Sequence, residues 1–210
     1  MAARRRLAHR LWEGGVRDPR VLAAFAGVPR HLMVPEALRT EAYKESALPI
    51  GDGQTISAPA MVAAMTEALE LRGRERVLEV GTGSGYQAAV LSCLAASVVS
   101  IERVGRLAAR ARSALDALGV ANVVVYLGDG TLGRPADAPY DAIVVTAGGP
   151  TIPQPLLDQL APNGRLVGPF GTREEQALVR VRRMPGGKLD RETLGRCRFV
   201  DLIGEHGWAA

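Results

Sequence analysis

The residues with the clearest chemical potential run Glu79-Val80-Gly81-Thr82-Gly83-Ser84-Gly85-Tyr86. Glycines at this density let a backbone turn tightly and come close to a ligand. They follow the apolar run Arg76 to Val80 and open a helical stretch, Tyr86 to Leu94, so the unpaired N–H groups of a helix start stand behind them. Strand, glycine turn and helix in that order suit a nucleotide or a nucleoside. The spacing Gly-x-Gly-x-Gly differs from the Gly-x-Gly-x-x-Gly that accommodates a pyrophosphate. Glu79 precedes the first glycine by two residues, and a negative charge there repels a pyrophosphate but suits the amino group of a methionyl moiety. Glu102 ends the next strand, Ser97 to Glu102, where a carboxylate accepts both hydroxyls of a ribose, in NAD enzymes as elsewhere. Asp129 follows the third strand, Val123 to Leu127, in Gly128-Asp129-Gly130. It suits the exocyclic amine of an adenine, and equally a turn, since turns favour Asp beside Gly. Alongside Glu79 and Glu102 the ligand reading is preferred. The three acids then share the carboxyl edge of one sheet, where open α/β folds bind ligands.

The elements that must position these groups are legible as alternation. Short apolar runs at 76–80, 97–102, 123–127, 140–146 and 164–168 alternate with helical stretches at 86–94, 106–118 and 155–160. Such a pattern implies parallel strands covered on both faces. Residues 1 to about 70 read as helices and loops, with Leu7 and Leu11 on one face of a basic first helix, a second helix over Val21 to Phe25, and Pro59 opening a third. Proline suits a first helical turn, where the missing N–H has no partner anyway. Gln176 to Arg183 and Arg196 to Leu202 read as two strands joined through Pro185-Gly186-Gly187. The expected fold is therefore α/β: a Rossmann-like, doubly wound, mostly parallel sheet with helices on both faces, a helical N-terminal extension and antiparallel C-terminal strands. One domain over 1–210 is expected, with 1–70 as helical cap and substrate loop, 71–170 as the cofactor-binding core and 171–210 as the antiparallel strands.

Composition narrows the function classes. With 26 Lys and Arg against 22 Asp and Glu, the formal charge is +4, and the cations are scattered. A phosphate-tracking groove would need them clustered, so no nucleic-acid partner is expected. The alternation Leu178-Val179-Arg180-Val181-Arg182 reads as the solvent face of a strand. No apolar run is long enough to span a membrane, and the basic start lacks a secretory signal's apolar stretch. A cytoplasmic monomer is expected. Cys93 and Cys197 sit in apolar or strand-like runs and read as buried free thiols, and Trp12 and Trp208 as core or lid packing. His31 reads as a structural loop residue. No cluster has metal-ligand spacing.

Upstream of the glycine loop stands Asp52-Gly53-Gln54-Thr55-Ile56-Ser57-Ala58-Pro59, followed by Met61-Val62. With the glycine loop this segment resembles the protein-L-isoaspartate O-methyltransferases, a family of class I S-adenosylmethionine-dependent methyltransferases. Val28-Pro29-Arg30-His31, Ala42-Tyr43, Ala47 to Gly51, Ile101-Glu102-Arg103, Gly128-Asp129-Gly130, Pro139 to Ile143, Ile152-Pro153, Gly164 to Val167 and the tail Arg198-Phe199-Val200 through Gly207-Trp208 extend the resemblance through most of the chain. It departs at Ala147-Gly148-Gly149, where alanines are expected, at Gly168, and at Asp201, which holds a proline position. These positions flank the expected site and bear on substrate preference more than on cofactor use.

The resemblance implies S-adenosyl-L-methionine as cofactor, held by Glu79, Gly81, Thr82, Gly83, Ser84, Gly85, Glu102, Asp129 and Gly130. It implies isoaspartyl proteins and peptides as substrate, bound by Thr55, Ile56 and Ser57, with Ser57 as the functional serine. The acceptor, a free α-carboxylate, is already ionised at neutral pH because such groups titrate near ~4. No general base is needed, which agrees with a sequence lacking an evident catalytic His, Cys or paired acids. Without the resemblance, Ser57 reads more simply as a cap for the helix opened by Pro59. Three rivals stand beside this reading: a related carboxylate methyltransferase acting on a dedicated peptide or a small molecule, a nucleotide-binding module without catalysis, and an NAD dehydrogenase, which the glycine spacing and Glu79 disfavour.

Overall fold

A computed structural model describes residues 2–209. The N-terminal lobe begins with α1 (Ala2–Glu13) and α2 (Pro19–Gly27). Asp18 accepts from the Arg20 N–H, and Pro19 begins the helix, so α2 starts at a side-chain cap with proline in the first turn. Leu7 and Leu11 are buried, as the amphipathic spacing requires. A hairpin follows, β1 (Leu48–Gly51) and β2 (Gln54–Ile56), then α3 (Pro59–Ala68). The hairpin replaces the loop expected there. Its turn is made by Gly51, Asp52 and Gly53, all at positive φ, the backbone state that Asp-Gly tolerates in tight hairpins.

The core sheet comprises β3 (Arg76–Val80), β4 (Ser97–Glu102), β5 (Val123–Leu127), β6 (Tyr140–Val145), β7 (Leu160–Gly171), β8 (Gln176–Arg183) and β9 (Leu189–Cys197). Helices α4 (Tyr86–Ser92), α5 (Gly105–Ala117) and α6 (Gln154–Asp158) connect the parallel part. Strand order is β5-β4-β3-β6-β7-β8-β9, parallel from β5 to β7 and antiparallel from β7 to β9. The chain winds outward from β3 to β5, then returns to the other side of β3. The carboxyl ends of β3 and β6 therefore flank the point where strand order reverses, the usual crevice for a ligand in open α/β sheets.

Alternate residues of each strand feed two cores. Val77, Val98 and Val144 pack with Leu7, Phe25, Met65, Leu91 and Leu107. Leu78, Ile101, Ile143 and Val145 pack on the other face with Leu156 and Leu202. Helices flank both faces unevenly: the second face has only the short α6 and is completed by the segment after β9. At about 1.5–3 kcal/mol for each large buried side chain, the first core binds the N-terminal lobe firmly to the sheet.

Several local expectations are corrected. The last strand runs over 189–197 rather than 196–202. Its side chains are exposed throughout Leu189–Arg196, so it carried no alternation to read. The apolar Phe199, Val200 and Leu202 instead belong to a strap that crosses the carboxyl end of the sheet and bridges Gly148. Arg180 and Arg182 do not simply face solvent. Both grip Glu70, just beyond α3, at 2.9 and 2.5 Å, and Arg180 also holds Glu192. Cys93 is exposed and Cys197 only half-buried, because α4 ends one residue before Cys93. Trp12 is exposed and stacks on His9. No helix among the described residues is long and apolar enough to cross a membrane.

Candidate functional site

The glycine loop follows β3 directly. Gly81, Gly83 and Gly85 all have positive φ, a state other residues adopt at a cost. At Gly81 space is also decisive, since a Cβ would lie 2.5 Å from Thr146 Oγ1. Thr146 directly follows β6 across the reversal point. Its hydroxyl donates to Gly81 O at 2.6 Å and its N–H to Val80 O at 2.9 Å. The two strand ends are thereby tied together.

Glu79 lies beneath the loop and is fully buried. Its Oε2 accepts from Ser100 Oγ at 2.5 Å, and Ser100 meets Thr82 Oγ1 at 2.5 Å. Its Oε1 has no partner among the described residues. Burial pushes this carboxyl up to about 8; the Ser100 hydrogen bond works against that rise, and the charge of Glu102 adds to it. An unpartnered buried carboxylate is costly, and such groups concentrate at sites that await a charged partner.

Glu102 closes β4. Its Oε2 accepts from Gly83 N at 2.8 Å and its Oε1 from Val104 N at 2.9 Å, which fixes the carboxylate against the loop. Asp129, beyond β5, is used differently from a free ligand group. Oδ1 accepts from Thr131 N and Thr131 Oγ1, and Oδ2 accepts from Glu205 N. Burial raises this carboxyl, but these hydrogen bonds outweigh it and hold it below the usual range. Asp129 thus makes the turn its sequence context allowed and also anchors the C-terminal strap.

Two adjoining cavities occupy the crevice. The larger, about 580 Å³, is lined among others by Gly81, Gly83, Glu102, Gly130, Thr146 and Asp201. The smaller, about 400 Å³, is lined among others by Ile56, Ser57, Thr82, Ser84, Tyr86 and Met65. Thr55, Gly81, Gly83 and Thr146 border both. Thr55, Ile56 and Ser57 therefore converge on the glycine loop although the intervening chain folds away. Gly85 and Asp129 border neither cavity; Gly85 packs on Ala111 of α5. Ala58, not Ser57, takes the N-cap position of α3, and no side chain caps it, so Ser57 is not spent on the helix.

Thr146, Arg103, Gln54 and the strap residues Val200 to Ile203 also line the larger cavity; none is among the residues expected to hold cofactor or substrate, although Asp201 was noted as flanking the site. Thr146 had a signal, its place at the end of a recognisable strand. The strap had none, because its role depends on a tertiary bridge: Gly148 N–H donates to Val200 O and Leu202 N–H to Gly148 O. The departures noted at Gly148 and Asp201 meet at this bridge. Asp201 Oδ2 accepts from Arg173 Nε at 2.8 Å, Arg173 lies 4.8 Å over Trp208, and the Trp208 indole donates to Gly148 O. A Cβ at Gly148 would meet the end of the Gln176 side chain, which would have to shift from its bond to Phe199 N–H. His31 bonds the Tyr43 hydroxyl at 2.6 Å, a structural loop contact as expected.

Residues 2–207 match the family model described as protein-L-isoaspartate(D-aspartate) O-methyltransferase. The chain is 57% identical over 197 residues to the protein-L-isoaspartate O-methyltransferase of Syntrophus aciditrophicus, covering 93% of this chain and 90% of the relative. It is 58% identical over 194 residues to protein-L-isoaspartate O-methyltransferase 1 of Syntrophobacter fumaroxidans, covering 92% and 90%. A solved protein-L-isoaspartate O-methyltransferase superposes with a TM-score of 0.88 at 30% identity, over 97% of this chain and 67% of that one. A Plasmodium falciparum structure, described as a putative member in complex with S-adenosyl-L-homocysteine, shares the fold with a TM-score of 0.82 at 24% identity, over 95% and 98% of the two chains.

Proposed function

Because the chain belongs to the protein-L-isoaspartate(D-aspartate) O-methyltransferase family, we propose that it transfers a methyl group from S-adenosylmethionine to the free α-carboxylate of L-isoaspartyl residues in damaged proteins and peptides. The observation that carries the reading is the meeting of the Thr55-Ile56-Ser57 hairpin end with the glycine loop around two joined cavities. The residues fit the cofactor: Glu79 offers a buried carboxylate oxygen without a partner, Gly81 and Gly83 keep the loop bare of side chains, and Glu102 is held at the strand end where ribose hydroxyls are read. When bound, S-adenosylmethionine supplies an electrophilic methyl group on a cationic sulfonium.

The chain's own residues then have positioning work. Ser57 and Thr55 hold the acceptor carboxylate by hydroxyl hydrogen bonds, which orient it without the strong neutralisation that an arginine would impose. Thr146 locks the glycine loop against β6, so the floor does not shift. The strap, anchored by Asp129 and bridged to Gly148, closes the outer wall and limits water. Holding two reactants in line supplies on the order of 7–11 kcal/mol of barrier reduction, and the ionised acceptor has no proton for a general base to remove. In the methyl ester the following backbone amide nitrogen attacks the ester carbonyl and methanol leaves, and water then opens the resulting succinimide partly to normal aspartate. The substrate is an extended, flexible segment able to reach between the hairpin and the strap, and the enzyme works as a cytoplasmic monomer.

The test is methyl transfer to matched peptides differing only in L-isoaspartate or L-aspartate. Incorporation as a base-labile ester into the isoaspartyl peptide alone is expected; equal transfer to both would sink the substrate assignment. Ser57→Ala should lower kcat by about 10- to 100-fold, the loss of one hydrogen bond to a charged group, with S-adenosylhomocysteine binding intact. Full turnover would remove Ser57 from the mechanism.

A further inference from the structure

Arg30 is fully buried, in the short turn Arg30–Leu32 between α2 and β1. Among the described residues no carboxylate pairs with it at ion-pair distance. Instead Nε donates to Ala42 O at 2.7 Å, Nη2 donates to Ser57 O at 2.6 Å, and the guanidinium lies 4.8 Å from the centre of the Tyr86 ring. Its Nη1 has no partner among the described residues. Burial lowers this group to about 10, so it stays charged at neutral pH. Burying a cation with incomplete compensation is costly, and an apolar side chain would fill the same space at less cost. What the cation adds is geometry. A planar fork spans two carbonyls and an aromatic face at once.

The three partners belong to different parts of the site. Ala42 is in the N-terminal lobe. Ser57 lies in the short link between β2 and α3. Tyr86 is the first residue of α4, directly behind the glycine loop, and borders the same cavity as Ser57. We infer that Arg30 is a positioning residue for methyl transfer: by gripping the Ser57 carbonyl while stacked on Tyr86, it sets the Ser57 hydroxyl at a fixed distance from the glycine loop. The inference rests on the role proposed above for Ser57. Arg30 touches neither substrate nor cofactor, and acts through the backbone of the residue that does.

The experiment is a double-mutant cycle with Arg30→Lys and Ser57→Ala, in the full chain. Lysine keeps the charge but cannot span two carbonyls or stack as a plane. Arg30→Lys should bind S-adenosylhomocysteine within about twofold of the parent while kcat on an isoaspartyl peptide falls roughly 10- to 100-fold, the scale of misplacing a reacting group by about 1 Å. Adding Ser57→Ala to Arg30→Lys should then cost less than about threefold more, because both changes remove one contribution. If Ser57→Ala alone keeps full turnover, the Ser57 assignment falls and this inference with it. If Ser57→Ala is slow but Arg30→Lys is as fast as the parent, or the two losses multiply, Arg30 is not acting through Ser57 and the inference alone is overturned. Arg30→Met, measured for cofactor binding and thermal unfolding, separates a folding defect from a positioning one: bound cofactor with lost turnover supports positioning, and loss of both overturns it.

Discussion

Glu79 should make the protein less stable as pH rises through neutrality, and Glu79→Gln should abolish that contribution. An unfolded glutamate releases its proton near 4.5, whereas buried Glu79 holds it to about 8. Between those values the folded state carries one proton more than the unfolded state. Stability from this group is thus fully present below about 4.5 and is lost as pH rises through about 8. The slope in the window is about 1.4 kcal/mol per pH unit. From pH 5.5 to 7.5 it accumulates to about 3 kcal/mol, a large share of an ordinary domain's stability. Glutamine keeps the shape and an acceptor for Ser100 but does not titrate. Urea unfolding of both proteins at pH 5.5, 6.5 and 7.5 isolates the term as the difference between them, other titrating groups being common to both. The gap should move by about 3 kcal/mol across the series. Parallel curves would show that Glu79 is not held neutral, and would refute the reasoning from burial. Saturating S-adenosylhomocysteine should flatten the parent's slope, since a cationic amino group beside Oε1 favours the ionised form, and its binding near pH 7 should release close to one proton, read by calorimetry in buffers of different ionisation heat.

Other expected outcomes follow from single contacts. Gly81→Ala places a methyl group against Thr146 Oγ1 at a positive-φ position, so cofactor affinity should fall at least about 100-fold, a loss of roughly 3 kcal/mol; unchanged binding by titration would contradict the close approach. Asp129→Ala frees Thr131 and the Glu205 N–H and should loosen the strap, seen as faster proteolysis beyond residue 198 and a change in Trp208 fluorescence over the constant signal of exposed Trp12. Asp201→Pro removes the carboxylate that holds Arg173 and should alter KM for peptides more than cofactor affinity; equal shifts in both would place Asp201 outside peptide binding.

Much of the site's floor was legible because its signals are local. The glycine spacing and the strand before it are adjacent in sequence and obey turn and helix-start rules, and Glu102 and Asp129 each stand at or just past the end of their own apolar run. The strand edges at 97–102, 123–127 and 176–183 matched because short runs rich in Val, Ile and Leu leave little ambiguity, even in β5, where only Val125 is buried. Other parts depended on distant partners. Pro49 disguised β1, and only the Asp52-Gly53 turn hinted at a hairpin. β9 lacked a buried face. The strap's Val200 and Leu202 have strand-like composition, but what they join is a bridge to Gly148 some fifty residues away in sequence. Asp129 shows the limit most sharply: the turn its context allowed is made with Thr131, while its second carboxylate oxygen is taken by Glu205, a partner 76 residues on that no local pattern announces.

The charged outer strand β9 has a consequence for traffic around the enzyme. Ageing proteins present unstructured segments that readily add to any open sheet edge. An enzyme that must meet such segments all day risks being fouled by them. On β9 the residues Asp190 and Arg191 stand exposed in succession, so a stray strand docking there would press against charges of both signs that it cannot match. The edge that looked featureless in sequence therefore acts as a repellent rim, leaving damaged chains to queue at the crevice instead.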